Sequence, residues 1–262
     1  MGKIAAIAAN TFKEAIRDKI LYGFLFFAVM LILFSLVLGQ LSIDQQIRCT
    51  LDIGLAGISF FSVLISIFLG ITLLYKEIEK RTIYPVLAKP VSRTVYLIGK
   101  FLGLGAVMSV QIALMVIVFL GVLLSQNGHL TMGILFCVVL IFIETLLIIS
   151  MALFFTSFSS PFLSGIFCLG IFAAGRNVNL IAELGKHKSM QWMTPLLDGI
   201  TAVLPNLYLF YPGGKIVDSS WATVHEQFVS TGYMASTIAY GLLYTGAFLA
   251  LSILLLGKRD FT

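Results

Sequence analysis

The chain has 262 residues, of which 59% are apolar and 11% are charged, and its mean hydropathy is +1.03. Soluble domains carry about 25% charged residues, so this composition excludes an ordinary soluble domain and favours a polytopic helical membrane protein. The net charge of +5 does not indicate nucleic-acid binding, because the basic residues lie in short loops between apolar runs, where orientation signals are found.

The first predicted element is an amphipathic helix over residues 3–19. Its apolar residues recur at helical spacing, and its polar residues occupy the other side. The apolar face holds Ile4, Ile7, Ala8, Phe12, Ala15 and Ile16, and the polar face holds Lys3, Asn10, Lys13, Glu14, Arg17 and Asp18. Such a helix can lie in the membrane interface with its basic face toward anionic headgroups. The alternative is a simple extension of the first span into the cytosol.

Six transmembrane spans follow, and no linker divides the chain, so we predict one all-α domain over residues 1–262. The spans cover about 20–39, 53–75, 98–124, 132–157, 159–175 and 233–256, by the length of apolar sequence that a bilayer requires. The fifth is the shortest and follows the fourth so closely that the two must form an antiparallel hairpin.

The distribution of lysine and arginine predicts the orientation of the spans. Four of these residues precede the first span, five lie in the loop of 76–97, and two lie in the C-terminal tail. On the opposite side the first loop has Arg48 alone, and residues 125–131 have none. Both termini and the loop of 76–97 are therefore predicted to be cytoplasmic, and the long segment 176–232 is predicted to be extracytoplasmic.

The loop of 76–97 is the densest run of mixed charge in the chain. Its glutamates and basic residues continue the helix of the second span, Pro85 and Pro90 each interrupt the backbone, and Ser92 can cap a new helix. This pattern predicts a short helix across the end of the bundle that contacts a soluble partner. An ordinary loop that obeys the positive-inside bias is the alternative, but it does not explain the glutamates or the prolines.

Glu144 lies near the centre of the fourth span. An ionisable side chain at this depth costs on the order of 2.5–3.5 kcal/mol to insert, so it should face the bundle interior and have a partner. One hypothesis is a residue of the substrate path or of coupling. The other is an acid that fixes packing through a hydrogen bond to Gln111 of the third span.

Small residues form two stripes that predict close helix packing, with a translocation-facing surface as the alternative. Ser59, Ser62, Ser66 and Gly70 lie on the second span, and Gly99 and Gly103 begin the third. In the outer segment, residues 196–211 are too short and too broken to span and too apolar to be solvated. This stretch is predicted to be re-entrant or interfacial.

The sequence carries no motif that predicts catalysis. Its Gly-Lys pairs lack the upstream glycine and the following Ser or Thr of a phosphate-binding loop. The spacings of His129, His187 and His225 match no metal-ligand pattern, and three cysteines cannot form a disulfide framework. We therefore expect no enzyme, no metal site and no cofactor in this chain.

Several ordered motifs together resemble a permease subunit of the type-2 ATP-binding-cassette (ABC) transporters, over essentially the whole chain. Besides the helical pattern, they are Glu77-Ile-Glu-Lys-Arg-Thr82, Lys89-Pro-Val-Ser-Arg93, Tyr96 and Gly99-Lys100 of the loop, Leu204-Pro205-Asn206, and the ending Tyr240-Gly-Leu-Leu-Tyr244 with Lys258-Arg-Asp-Phe261. The last two pieces are similar to a bacterial branch of the family, which implies the bacterial inner membrane.

The resemblance implies a set of partners. Two permease subunits, identical or paired with a sister chain, would bind two cytoplasmic ATPase subunits, which hold ATP and Mg and drive export. The helix at about residues 77–87 would be the coupling helix, and its ATPase contacts are assigned to Glu77, Glu79, Lys80, Arg81, Tyr84, Pro85 and Arg93. Residues 176–232 would cap the exit side, where a periplasmic partner could bind. The competing hypothesis is a membrane scaffold or assembly factor that recruits an ATPase and transports nothing.

Overall fold

The computed structural model describes residues 2–41, 46–79, 92–181, 199, 201, 204–211, 213–217, 220–223 and 231–258. The helices are α1 (Gly2–Ile16), α2 (Lys19–Leu41), α3 (Gln46–Glu79), α4 (Arg93–Ser125), α5 (Met132–Thr156), α6 (Pro161–Arg176) and α7 (Thr231–Lys258). A 3₁₀ turn at Leu207–Phe210 precedes two strands, β1 (Gly213–Val217) and β2 (Ser220–Thr223).

Five of these helices are long and apolar enough to cross a membrane. They are α2, α3, α4, α5 and α7, and they correspond to the first four predicted spans and the sixth. Both helices beside the charged loop are longer than predicted, since α3 begins at Gln46 and α4 begins at Arg93. The 34 residues of α3 extend about 51 Å, well beyond a hydrocarbon core of about 30 Å.

The helix α6 is the exception among the predicted spans. Its 16 residues rise only about 24 Å, which is less than the hydrocarbon thickness of about 30 Å. It packs against α5, as the predicted hairpin requires. That α6 completes a crossing, and so the six-span topology itself, stays a prediction.

The helical prediction is confirmed for the described bundle, and residues 213–217 and 220–223 depart from it as two short strands. The strands β1 and β2 pair antiparallel, with Ile216 opposite Trp221 and Val217 opposite Ser220. Only two residues separate the strands in sequence, which is the commonest length of a hairpin connection. The helical pattern of the rest of the chain gave no signal for this local pairing.

The helix α3 is the centre of the bundle. Its most apolar window is 72% buried, against 22% for α2 and 17% for α7, and it contacts α2, α4, α5 and α6. Because α2 and α7 bury few of their side chains, these two helices form much of the surface that lipid or another subunit can cover.

The two stripes of small residues pack helices closely, which confirms the packing interpretation. A Cβ on Gly99 would lie 2.8 Å from the Cβ of Ile7, and one on Gly70 would lie 2.7 Å from the Cβ of Ala152. The stripe of Gly99 and Gly103 therefore receives α1, and the stripe that ends at Gly70 contacts α5. Part of the apolar face of α1 is thus buried against α4, and its predicted interfacial position in the membrane stays a prediction.

A C-cap ends α4 and turns the chain back toward α5. Asn127 adopts a positive φ of 57°, and the N–H groups of Gly128 and Asn127 donate to the carbonyls of Leu123 and Leu124. These are the two hydrogen bonds of a Schellman C-cap, which satisfies orphan carbonyls and reverses the chain. Residues 126–131 are consequently sufficient to return the chain into the bundle.

Candidate functional site: two charge clusters in the bundle

Glu144 lies in the middle of α5 and is fully buried. Its Oε1 accepts a hydrogen bond from Nη1 of Arg176 at 2.5 Å. Its Oε2 accepts one from the hydroxyl of Ser59 at 3.2 Å. A carboxylate inside a bundle is tolerable only with partners of this kind, because an unpaired charge carries a large desolvation penalty.

Arg176 joins this carboxylate to two other parts of the chain. Its Nη2 donates to the hydroxyl of Ser59 at 3.0 Å. Its guanidinium carbon lies 5.7 Å from the ring centre of Phe172 and 5.1 Å from that of Tyr211, within the range of cation–π attraction. We call Glu144, Arg176, Ser59, Phe172 and Tyr211 the Glu144 cluster.

The shortness of α6 explains how Arg176 reaches Glu144. From Pro161, α6 returns along α5 and its 16 residues rise only about 24 Å. Its last residue therefore comes level with the middle of α5, where Glu144 lies. The chain then packs back onto this end, where a Cβ on Gly175 would lie 2.6 Å from the carbonyl oxygen of Pro205. Glycine is therefore required here for close backbone contact.

The expected partner of Glu144 was wrong. The structure pairs the carboxylate with Arg176 and Ser59 rather than with Gln111. Both amide atoms of Gln111 are buried with no hydrogen-bond partner in the described part of the chain. Sequence reasoning assigned Arg176 to the outer segment, although the shortness of the fifth span was a signal that this arginine ends beside the middle of the fourth span.

The described part of the predicted re-entrant stretch, residues 199, 201 and 204–211, is folded into the bundle from Leu207 onward. Leu207 and Phe210 are fully buried and belong to a core cluster with Ile143 of α5. The hydroxyl of Tyr233 donates to the carbonyl of Leu209 at 2.5 Å. This burial agrees with the expectation that the stretch is not solvated.

A tyrosine ties the same stretch to the start of α3. The hydroxyl of Tyr211 donates to the carbonyl of Asp52 at 3.0 Å, while its ring covers Arg176. The Glu144 cluster therefore connects α3, α5, α6 and the stretch of 204–211. Any movement of one of these elements against the others must disturb a charged contact.

A second cluster lies where α3 ends and α4 begins. Oε1 of Glu77 is 2.9 Å from Nζ of Lys100, and the hydroxyl of Tyr96 donates to Oε2 of Glu77. Nζ of Lys100 also donates to the carbonyl of Leu73 at 3.3 Å. We call Glu77, Tyr96 and Lys100 the Glu77 cluster. The three residues are buried or nearly so, and Lys100 is only 1% exposed.

The neighbouring residue Lys76 binds the junction of α1 and α2. Its Nζ is 2.9 Å from Oδ2 of Asp18, and Oδ1 of Asp18 accepts the N–H of Ile20 at 3.1 Å. Burial alone would raise the pKa of the Asp18 carboxyl. The hydrogen bonds from Lys76 and Ile20 and the charge of Lys76 outweigh it, so the pKa lies below its ordinary value of 3.8.

The residues predicted to contact an ATPase are only partly described. Ser92 caps α4 as expected, since its side chain accepts the N–H of Val95, and Arg93 is the first residue of α4. Glu79 is the last residue of α3. The remaining predicted contacts, Lys80, Arg81, Tyr84 and Pro85, lie outside the described residues. The assignment of these residues to a partner stays a prediction.

An apolar cavity of about 340 Å³ lies between α4 and α5. Val116, Leu120 and Val138 are among its lining residues, and none of the described residues that line it is charged. It lacks the convergent polar groups that usually orient a ligand or support chemistry. The two charge clusters are the more informative features of the described structure.

A comparison with known protein families gives a match that includes all residues of both clusters. The family model described as "ABC-2 family transporter protein" matches residues 5–261. The chain belongs to the ABC-2 transporter family. No curated protein matches the sequence.

Membership confirms the resemblance to a type-2 ABC permease. Together with five helices that can span a bilayer, it makes the chain a multi-pass membrane protein and a transport component. In this ABC-2 permease, the Glu77 cluster borders the predicted coupling loop, and the Glu144 cluster lies within the transmembrane bundle.

Proposed function

We propose that the chain is the membrane-spanning subunit of a bacterial ABC exporter and that separate ATPase subunits drive it. Two ATPase subunits would serve two permease copies, or one copy and a sister permease, in the inner membrane. The observation that carries this proposal is the family match over residues 5–261, combined with a densely charged loop between the long helices α3 and α4.

The distribution of charge supports the orientation of the complex. The N-terminal segment, the loop of 76–97 and the C-terminal tail carry most of the lysine and arginine, which favours a cytoplasmic position for all three. An ATPase that binds nucleotide in the cytoplasm would meet the permease at this end. The outer segment of 176–232 would then cap the exit side and present a surface to a periplasmic partner.

The loop is proposed as the docking element for the ATPase. Glu79 ends the described part of α3, and Lys80 and Arg81 follow it directly. Tyr84-Pro85 would interrupt helical geometry so that the chain turns across the bundle. Mixed charge is suited to specific docking, because complementary charges orient two partners and exclude others. ATP and Mg would be bound by the partner, since the sequence has no phosphate-binding loop.

Charge reversal in the loop tests the proposal. Tagged wild-type permease is purified from the native host membrane, and the nucleotide hydrolase that accompanies it is identified and quantified. We expect Arg81→Glu or Glu79→Lys to lower the retained hydrolase about tenfold or more, because like charges at an interface cost several kcal/mol and about 1.4 kcal/mol is tenfold in affinity.

The matched control is Arg48→Glu, an exposed arginine near the start of α3 that is predicted to lie on the other side of the membrane. It should retain the hydrolase at the wild-type level. Absence of any hydrolase with the wild-type chain would overturn the proposed function. Equal retention by Arg81→Glu, Glu79→Lys and Arg48→Glu would reject the loop as the docking element.

A further inference from the structure

Lys100 is the most deeply buried cation at the loop end of the described bundle. It is 1% exposed, and it is held by the Glu77 carboxylate at 2.9 Å and the Leu73 carbonyl at 3.3 Å. Both partners belong to the last two turns of α3, while Lys100 itself belongs to the second turn of α4. A buried ammonium with two such partners fixes the distance between the two helices, because separation would leave the charge uncompensated.

The position of Glu77 explains why its carboxylate needs a cation beside it. Glu77 lies in the last turn of α3, where the negative end of the helix dipole disfavours a carboxylate. Lys100 offsets that repulsion, and the hydroxyl of Tyr96 occupies the second carboxylate oxygen. Glu77 is 19% exposed, and both its oxygens are used inside the chain. It therefore offers little to an external protein.

Near the end of α3, the side chains of Lys76 and Glu77 contact different helices. Lys76 binds Asp18 at the junction of α1 and α2, and Glu77 binds Tyr96 and Lys100 of α4. The loop of 80–91 therefore emerges from an α3 terminus that is held on two sides. Its other end leads into α4, which begins three residues before Tyr96, so both ends of the loop adjoin the Glu77 cluster.

We propose that the Glu77 cluster is a transmission clamp that makes α3 and α4 move as one body when the loop of 80–91 is displaced. In this role Glu77, Tyr96 and Lys100 are positioning residues, and Glu77 does not contact the ATPase. This inference rests on the proposed function, and it replaces the assignment of Glu77 to the docking surface. The docking contact is left to the residues that follow α3.

The test separates retention of the ATPase from stimulation of its activity. Glu77→Gln, Lys100→Met and Tyr96→Phe are each purified with the ATPase subunit that accompanies the wild-type chain. Retained ATPase is quantified, and ATP hydrolysis by the complex is compared with hydrolysis by the isolated ATPase. We expect each variant to retain more than about half of the ATPase and Glu77→Gln to lower the stimulated rate about tenfold or more.

A charge swap and the Tyr96→Phe variant distinguish transmission from folding. The charge swap Glu77→Lys with Lys100→Glu rebuilds the pair and should restore at least about half of the stimulation that Glu77→Gln loses. Tyr96→Phe removes only a hydroxyl and should fold normally, with stimulation reduced several-fold. Lys19→Met, at an exposed lysine that begins α2 at the same end of the bundle, is the control and should change neither quantity.

The outcomes are distinct from those that test the proposed function. If the wild-type chain retains no ATPase, the proposed function fails. If the wild-type chain retains the ATPase but Glu77→Gln loses it, as Arg81→Glu does, Glu77 is a contact residue and the clamp is rejected. Wild-type stimulation in Tyr96→Phe together with no recovery in the charge swap would also reject it.

Discussion

Glu144 and Arg176 show what a single charge requires inside a membrane bundle. The carboxylate is fully buried, and the guanidinium that compensates it is 19% exposed. Solvent therefore reaches the arginine but not the glutamate. Removing one partner of a buried ion pair leaves a stranded charge, whereas removing both does not. The asymmetry between single and double variants therefore reports on the pair itself.

The first prediction concerns this pair. We expect Glu144→Gln and Arg176→Met each to lower the free energy of unfolding by about 3 kcal/mol, at the low end of the usual cost because Arg176 keeps some exposure. The double variant should recover most of the loss. Unfolding of the purified chain in mixed micelles measures all three, and simple addition of the two single effects would contradict the prediction.

At the scale of the helix, α1 packs against α4 through close backbone contact. A Cβ on Gly103 would lie 2.7 Å from the carbonyl oxygen of Ala8 and 2.7 Å from the Cβ of Thr11. A backbone carbonyl in a helix cannot move aside, so any side chain at this position must push α1 away. The helix α4 also carries Gly121, and a Cβ added there would meet nothing within 4 Å.

The second prediction uses these two glycines as a matched pair. Gly103→Ala should loosen α1 and destabilise the chain by about 1–3 kcal/mol, as overpacking does. Gly121→Ala should be neutral or slightly stabilising, because alanine favours a helix by about 1 kcal/mol over glycine. Hydrogen exchange of the amides of residues 2–16 measures the effect. Faster exchange in both variants, or in neither, would argue against close packing as the cause.

At the scale of the whole molecule, the lysine and arginine residues outside the spans predict how the chain is oriented in the membrane. The fold determines where the two charge clusters lie relative to those residues. The Glu77 cluster lies at the end that holds the loop of 80–91, and residues 126–131 lie at the opposite end of α4. A correct orientation is necessary for an ATPase to reach the loop.

The third prediction tests this orientation by labelling single cysteines in a chain that lacks Cys49, Cys137 and Cys168. A cysteine at His129, an exposed position after α4, should react with a membrane-impermeant thiol reagent added outside the cell. A cysteine at Ala88 of the charged loop should react only after the membrane is opened. The reverse pattern would invert the topology and remove the basis for docking at residues 80–91.

The sequence was sufficient for features that depend on neighbouring residues. Apolar runs predicted the five long helices, because a bilayer selects for length and hydropathy along the chain. The cap at Ser92 and the close packing at Gly99 also followed from local chemistry. The hairpin at 213–223 was missed, since short strands carry a weak signal beside strongly apolar helices.

Only the tertiary structure decided which charges meet. Arg176 binds Glu144 across 32 positions, and Lys76 binds Asp18 across 58, and no spacing rule reaches that far. A sequence shows that a buried carboxylate needs a cation, but the choice among cations depends on helix length and on which faces pack together. The partner of Glu144 and the internal use of Glu77 were settled by these long-range contacts, because burial makes an unpaired charge too costly to leave.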